Sequence, residues 1–191
     1  CFPGQSVDVP TNFRAQANIL YDLVTSENIN GVVSWASSIG NYIDADEIRT
    51  FHERYRPLPV VTIGRILEGF PGLLMDSYEG MREAIVHLIE VHGYRRLAFI
   101  RGPEGHLYAQ ERYRAYTETL EAYGIPFDPK LVSTPTSWVS FAGREAMRLL
   151  LDQRRLRAKV DFEAIIAAND GLLIGALEIL RARGIRVPGE V

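Results

Sequence analysis

The 191 residues can bury a substantial core, as one large domain or two small lobes. A composition 47% hydrophobic and 24% charged is that of an ordinary globular chain, and a net charge of -3 exerts no general pull toward nucleic acid or an anionic membrane. The lone cysteine, Cys1, excludes an internal disulfide framework and every Cys-based zinc motif; no apolar run reaches membrane-spanning length, no signal-peptide layout opens the chain, and a cytoplasmic setting is expected.

Along the chain, short apolar runs alternate with amphipathic segments. Apolar residues at Phe13, Ala17, Leu20 and Val24 predict a helix over 13–28. The β-branched run GVVSWAS predicts a strand over 31–37, and the acids opening DADEIRTFHERYR predict a helix over 44–56. PVVTIG (59–64) and LLMDS (73–77) read as strands on either side of a Gly/Pro loop. Met81, Ile85, Leu88 and Ile89 share one face of a helix over 78–93, which Gly93 stops. Further on come a strand at 96–102, a helix at 108–124, a turn at 124–129 and a helix at 140–153. A strand at 162–168 and a helix at 171–184 complete the series. Such alternation implies α/β architecture with parallel sheets covered on both faces. A joint near 76–79 would divide the chain into two similar lobes, 1–77 and 78–191.

Ligands of parallel α/β sheets sit beyond the C-terminal strand ends, where loops and helix N-termini converge. The residues there are Ser37 and Ser38, Asp76 and Ser77, the loop GPEGH (102–106), Ser137 and Trp138, and Asn169 and Asp170, with Arg112 one turn into the next helix. A carboxylate and a guanidinium hydrogen-bond vicinal hydroxyls, and an aromatic face covers the apolar side of a ring. Each residue also has a plainer role open to it. Asp170 could cap the helix that follows and Asn169 could satisfy the strand end; Asp76 could be another cap. Trp138 could be a core aromatic, and Arg112 could pair on the surface with Glu111 or Glu118.

Other stretches point away from catalysis and metals. GPEG is neither phosphate-binding glycine fingerprint, and no G-x-S-x-G elbow or H-E-x-x-H occurs. His87 and His92, five residues apart, fall on different faces of a helix, so no shared metal site is expected. The basic run QRRLRAK (153–159) reads as a solvated helix end. No paired acid and base emerges, and no cofactor or metal is implied.

The stretch LLMDSYEGMREAIVHLIEVHGYRRLAFIRGPEGHLYAQERYRAY (73–116) resembles the core of LacI/GalR-type transcriptional regulators. Asp76, Gly80, His87-Leu88, Arg95-Arg96, Gly102-Pro103 and Arg112 match that pattern. AANDGLLIGALEILRARGIRVPGEV (167–191) is similar to the family's Asn-Asp, Gly-Ala-Leu and Gly-x-x-Val-Pro signature in order and spacing. The segments NGVVSWASS and PLPVVTIGR extend the likeness over nearly the whole chain.

The resemblance implies a type I periplasmic-binding-protein-like fold, two Rossmann-like lobes that clamp a small effector, commonly a sugar or a purine. By the same resemblance Arg112 and Asp170 hydrogen-bond the effector and Trp138 packs on its ring. His106 and Tyr108 line the same cleft, and Asp76 lies at the first crossover between lobes. Ser37 and Asn169 complete the expected ligand-binding set. The chain departs from the family pattern at Ser77 (usually Asn), Tyr94 (His), Ala115 (Gly) and Gly64-Arg65 (no preceding Asp). It also lacks the helix-turn-helix headpiece, the opening strand and helix of the first lobe, and the closing strands of both. The expected function is therefore effector sensing for a homodimeric, LacI/GalR-like regulator that meets DNA only through a headpiece outside this chain. Competing readings attach the same sensor to a kinase or cyclic-nucleotide output, or make it a transport-type solute-binding protein. A nucleotide-binding enzyme is the least supported.

Overall fold

The computed structural model describes residues 12–40 and 43–191, with side chains from Asn18 onward. Cys1 and the side chains of Phe13 and Ala17, half of the first expected helical face, lie outside the described residues. The chain divides into two compact units, Cys1–Met75 and Asp76–Val191.

In the first unit a 3₁₀ helix, Asn12–Leu23, replaces the expected α-helix over 13–28. The strand expected at 31–37 is shorter: β1 spans Val32–Ser34, and a single helical turn, α1 (Ala36–Ile39), follows at once. Helix α2 (Ala45–Glu53) starts where its sequence says it should. The Asp44 carboxylate accepts from the Asp46 and Glu47 amides, and the Glu47 side chain returns to the Asp44 amide. Such a capping box satisfies orphan donors of the first turn and stabilises it by about 1 kcal/mol. Strands β2 (Val60–Ile63) and β3 (Gly72–Leu73) complete a parallel sheet of order β1-β2-β3, registered at Val32↔Val60 and Thr62↔Gly72. Ile48, Tyr55, Val60, Leu67 and Phe70 form the core against it.

Among the described residues Ser34, His52 and Thr62 are the polar side chains buried in this unit. His52 is fully enclosed, its Nδ1 2.6 Å from the Ile48 carbonyl and its Nε2 2.6 Å from the Ser34 hydroxyl. A carbonyl only accepts, so Nδ1 carries the proton and Nε2 accepts from Ser34. The ring thus fastens α2 to β1 in its neutral form. Burial pulls its pKa down and the nearby Arg54 charge adds to this, against the opposing effect of the Ile48 bond. The folded chain therefore resists a proton that the unfolded chain accepts at about pH 6.5. Stability is full above that pH and falls as the pH drops below it. Urea-unfolding midpoints measured from pH 7.5 down to 5 should decline, and His52→Gln should flatten that decline.

The second unit is built on β4 (Leu97–Ile100) and β5 (Ala164–Ala167), parallel and in register from Leu97↔Ala164 to Ile100↔Ala167. All four β4 residues are buried, as a strand covered on both faces requires. On the other side of β4 the segment after a short 3₁₀ turn (Pro129–Leu131) adds a parallel bridge, Phe99↔Val132, and the Ser133 amide donates to the Phe99 carbonyl. That third lane, in a stretch for which the sequence predicts no element, makes β4 central.

Four helices cover these strands: α3 (Ser77–Glu90), α4 (Leu107–Ala122), α5 (Ser140–Arg148) and α6 (Asp170–Ala182). Ile85, Ile89, Tyr116, Leu120, Met147, Leu172 and Ala176 supply the core from them. A π-helical turn, Leu149–Gln153, extends α5. In the basic run beyond it Arg155, Arg157 and Lys159 are exposed, as expected, but Arg154 departs from the expectation: half-buried, its guanidinium donates to the carbonyls of Pro129, Lys130 and Val132. The expectation about the two histidines is corrected too. Helix α3 ends at Glu90, and the chain turns through Gly93 at φ 71°, so His92 folds back until its Nε2 lies 3.2 Å from that of His87. The helical spacing that separated them stops before His92.

Helices α5 and α6 meet backbone to backbone. A Cβ on Gly143 would lie 2.1 Å from the Leu172 carbonyl oxygen, and one on Gly175 would lie 1.9 Å from that of Ser140. Alanine gains about 1 kcal/mol of helix propensity over glycine. Overpacking costs about 1–3 kcal/mol, and here the obstacle is backbone that cannot rotate away. Gly143→Ala and Gly175→Ala should each lower the urea-unfolding midpoint, the helix-propensity gain notwithstanding.

Candidate ligand-binding site

Because Ile100 and Ala167 are register partners, the chain leaves β4 and β5 at the same level. Three segments converge there within the second unit: 101–106 after β4, 134–139 before α5, and 168–169 between β5 and α6. The Ala168 amide donates to the Ile100 carbonyl at 2.9 Å, and the Thr136 amide reaches that of Gly102 at 3.4 Å.

Trp138 is held at this junction on several sides. Its ring edge lies against Gly102, where a Cβ would come within 2.6 Å of the indole. His106, at the backbone N-cap of α4, meets the indole edge to face, with centroids 4.9 Å apart and planes at 88°. The Trp138 carbonyl accepts from the Asn169 side-chain amide at 3.1 Å. Trp138 is half-buried, so it is a clamped ring with one part still accessible. Tyr108 sits behind His106, with ring centroids 5.8 Å apart and only 5% of the tyrosine exposed.

The cap question at Asn169-Asp170 has a definite answer. Asn169 is the N-cap of α6, its Oδ1 accepting from the Leu172 amide at 2.9 Å. With its amide nitrogen given to Trp138, both ends of the Asn169 side chain have structural work. Asp170 is instead the first residue of the helix, where a negative charge suits the macrodipole. It is exposed, and among the described residues its carboxylate makes no hydrogen bond or ion pair. Asp76 caps α3 by accepting from the Glu79 amide at 2.9 Å, the plainer role open to it.

Arg112 is no surface ion pair. It is half-buried on α4 and donates through Nη1 to the Ala168 carbonyl and through Nη2 to the Ser77 hydroxyl at 3.3 Å. Glu118, one of its expected partners, pairs with Arg114 instead. Burial lowers the Arg112 pKa from its usual value, while the negative charge of Asp170 acts to raise it. An arginine and an exposed carboxylate thus feel each other beside a clamped indole, a set of donor, acceptor and ring face suited to a polyhydroxylated ligand. Six of the expected residues (Arg112, Asp170, Trp138, His106, Tyr108, Asn169) come together here. Ser37, half-buried in α1, belongs to the other unit. Two supporting residues lay outside the expected set. Ser77 was legible as a strand-end hydroxyl, and Gly102 as a glycine that follows a strand; neither signal names its partner.

The family model for the periplasmic binding protein-like domain matches residues 85–191, more than half of the chain. The chain belongs to that family, in its LacI type. It is 40% identical over 117 residues to the HTH-type transcriptional regulator CelR of Thermobifida fusca, an alignment covering 61% of this chain and 32% of CelR. A solved complex of CelR with cellobiose shares 30% identity and a TM-score of 0.65, over 91% of this chain and 50% of that one. A LacI family regulator from Mycobacterium smegmatis gives a TM-score of 0.70 at 28% identity, over 92% and 61% of the two chains. The family fold is α/β with parallel sheets, as read from the sequence. The chain spans about a third to a half of the length of the curated relatives it matches. Among the described residues no helix is long and apolar enough to cross a membrane.

Within this LacI-type junction Asn169 carries two bonds, and substitutions can separate them. Asn169→Ala should cost about 1–2 kcal/mol through loss of the cap, measured by urea unfolding. Asn169→Asp keeps the cap acceptor but loses the donor to Trp138, and should fall between alanine and wild type.

Proposed function

We propose that this chain is the effector-sensing part of a LacI/GalR-like transcriptional regulator and that its effector is a sugar. The observation that carries this reading is the Arg112–Asp170 pair beside the clamped Trp138. The likeness to a CelR solved with cellobiose, at 30% identity, supports the choice of ligand class. Arg112 donates to ligand hydroxyls, the Asp170 carboxylate accepts from them, and the exposed part of the indole covers the apolar face of the sugar ring. His106 and Tyr108 fix the indole and the wall behind it. Asn169 and Asp76 act by capping. Ligand binding shifts the population of conformations that an attached DNA-binding headpiece reads, in a homodimer.

The structure separates clean probes from compromised ones. Arg112→Ala removes bonds to Ala168 and Ser77, so it should lower stability as well as binding. Asp170→Asn removes a carboxylate with no hydrogen bond among the described residues, so unfolding should lose only the helix N-terminal charge effect, about 0.3–1 kcal/mol. Loss of a charge-assisted hydrogen bond to the sugar, worth about 1.5–3 kcal/mol, should weaken binding about ten- to hundredfold. Isothermal titration with cellobiose, galactose, ribose and a purine nucleoside measures this. Wild-type affinity in Asp170→Asn, or heat from the nucleoside alone, would overturn the site or the ligand class.

A further inference from the structure

The imidazoles of His87 and His92 meet outside the residues that the ligand proposal uses. Their Nε2 atoms are 3.2 Å apart, their ring centroids 5.0 Å apart, and both side chains are exposed. His92 is also stacked on Tyr94, with centroids 5.4 Å apart and planes 19° from parallel. His87 is anchored in the last turn of α3, so both rings approach from fixed backbone. We propose that His87 and His92 form a two-histidine chelating site for a divalent first-row transition ion of the nickel, copper and zinc group.

The distance is the argument. Two imidazole nitrogens each about 2.1 Å from one ion, and 3.2 Å from each other, subtend roughly 100° at the ion. That angle lies between those of adjacent ligands in square-planar or octahedral coordination and in tetrahedral coordination. Without an ion, the contact requires one ring to donate its Nε2–H to the Nε2 lone pair of the other. With an ion, both lone pairs point at the metal, and the ring that donated carries its proton on Nδ1 instead. No bond to carbon changes, and no redox step is involved.

Imidazole suits nickel(II), copper(II) and zinc(II) better than it suits magnesium or calcium, which select oxygen. Among the described residues no group of three or more His, Cys, Asp or Glu side chains could hold a metal. The remaining coordination positions therefore belong to water, and the site is open and exchangeable, unlike a closed structural zinc site. An ion here ties the last turn of α3 to the Gly93 turn, and so stabilises the folded chain by mass action.

The test uses the full chain carrying Cys1→Ser, so that no thiol competes for metal. Isothermal titration with nickel chloride should show one ion bound per chain, and nickel should raise the thermal midpoint. His87→Gln and His92→Gln should each weaken binding by about tenfold or more, and the double variant should lose both the binding and the thermal shift. Copper(II) added to the parent should show coupling to two imidazole nitrogens by electron paramagnetic resonance, falling to one in each single variant. Both residues are exposed, so circular dichroism of the variants should match the parent. Undiminished nickel binding in the double variant, or no binding by the parent, overturns the proposal.

Discussion

The parallel register of β4 and β5 is the constraint from which the second unit's site follows. Pairing Ile100 with Ala167 ends both strands at one level, and the backbone carries straight on from there. Ala168 bonds to the Ile100 carbonyl and in turn offers its own carbonyl to Arg112. A slip of one residue would turn the buried and outward sets of β5 over, so the core enforces the alignment that the site needs. The same register lets α6 begin immediately at Asp170, leaving Asn169 as its cap.

Around that level, inward bonding and outward charge are divided between neighbours. Asn169 uses both ends of its amide on the helix start and on Trp138, which leaves the carboxylate of Asp170 outward. Arg112 cannot be divided so cleanly. Its guanidinium joins α4 to the end of β5 and to the first residue of α3, and it also sits within the field of Asp170. A group that is half-buried and multiply bonded is already oriented before any ligand arrives, which lowers the entropy cost of binding.

The strands at 59–64, 96–102 and 162–168 were legible because their cores are β-branched and apolar runs bounded by Pro, Gly or charged residues. The cap at Asp76 and the helix start at Asp44 were legible because they depend on residues within the first turn. The partners of Arg112 were not: Ser77 and Ala168 lie 35 and 56 positions from it, and one of the acceptors is a backbone carbonyl with no residue signature. Local charge pattern suggested Glu111 and Glu118 in their place. The meeting of His87 with His92 was hidden for a related reason. Helical geometry was extrapolated across Val91 and Gly93, where the chain has already left the helix. The lane at Val132 was missed because a single bridge carries no periodicity.

The two tryptophans fall one to each compact unit: Trp35, exposed at the start of α1, and Trp138, half-buried between Gly102 and His106. Their surroundings differ in wetness and in the nearness of an imidazole, which is an efficient quencher of indole emission when protonated. The protein therefore carries a native optical label in each half. Replacing either indole with phenylalanine would assign the emission of the other, and the order in which the halves melt could be followed without attaching a dye.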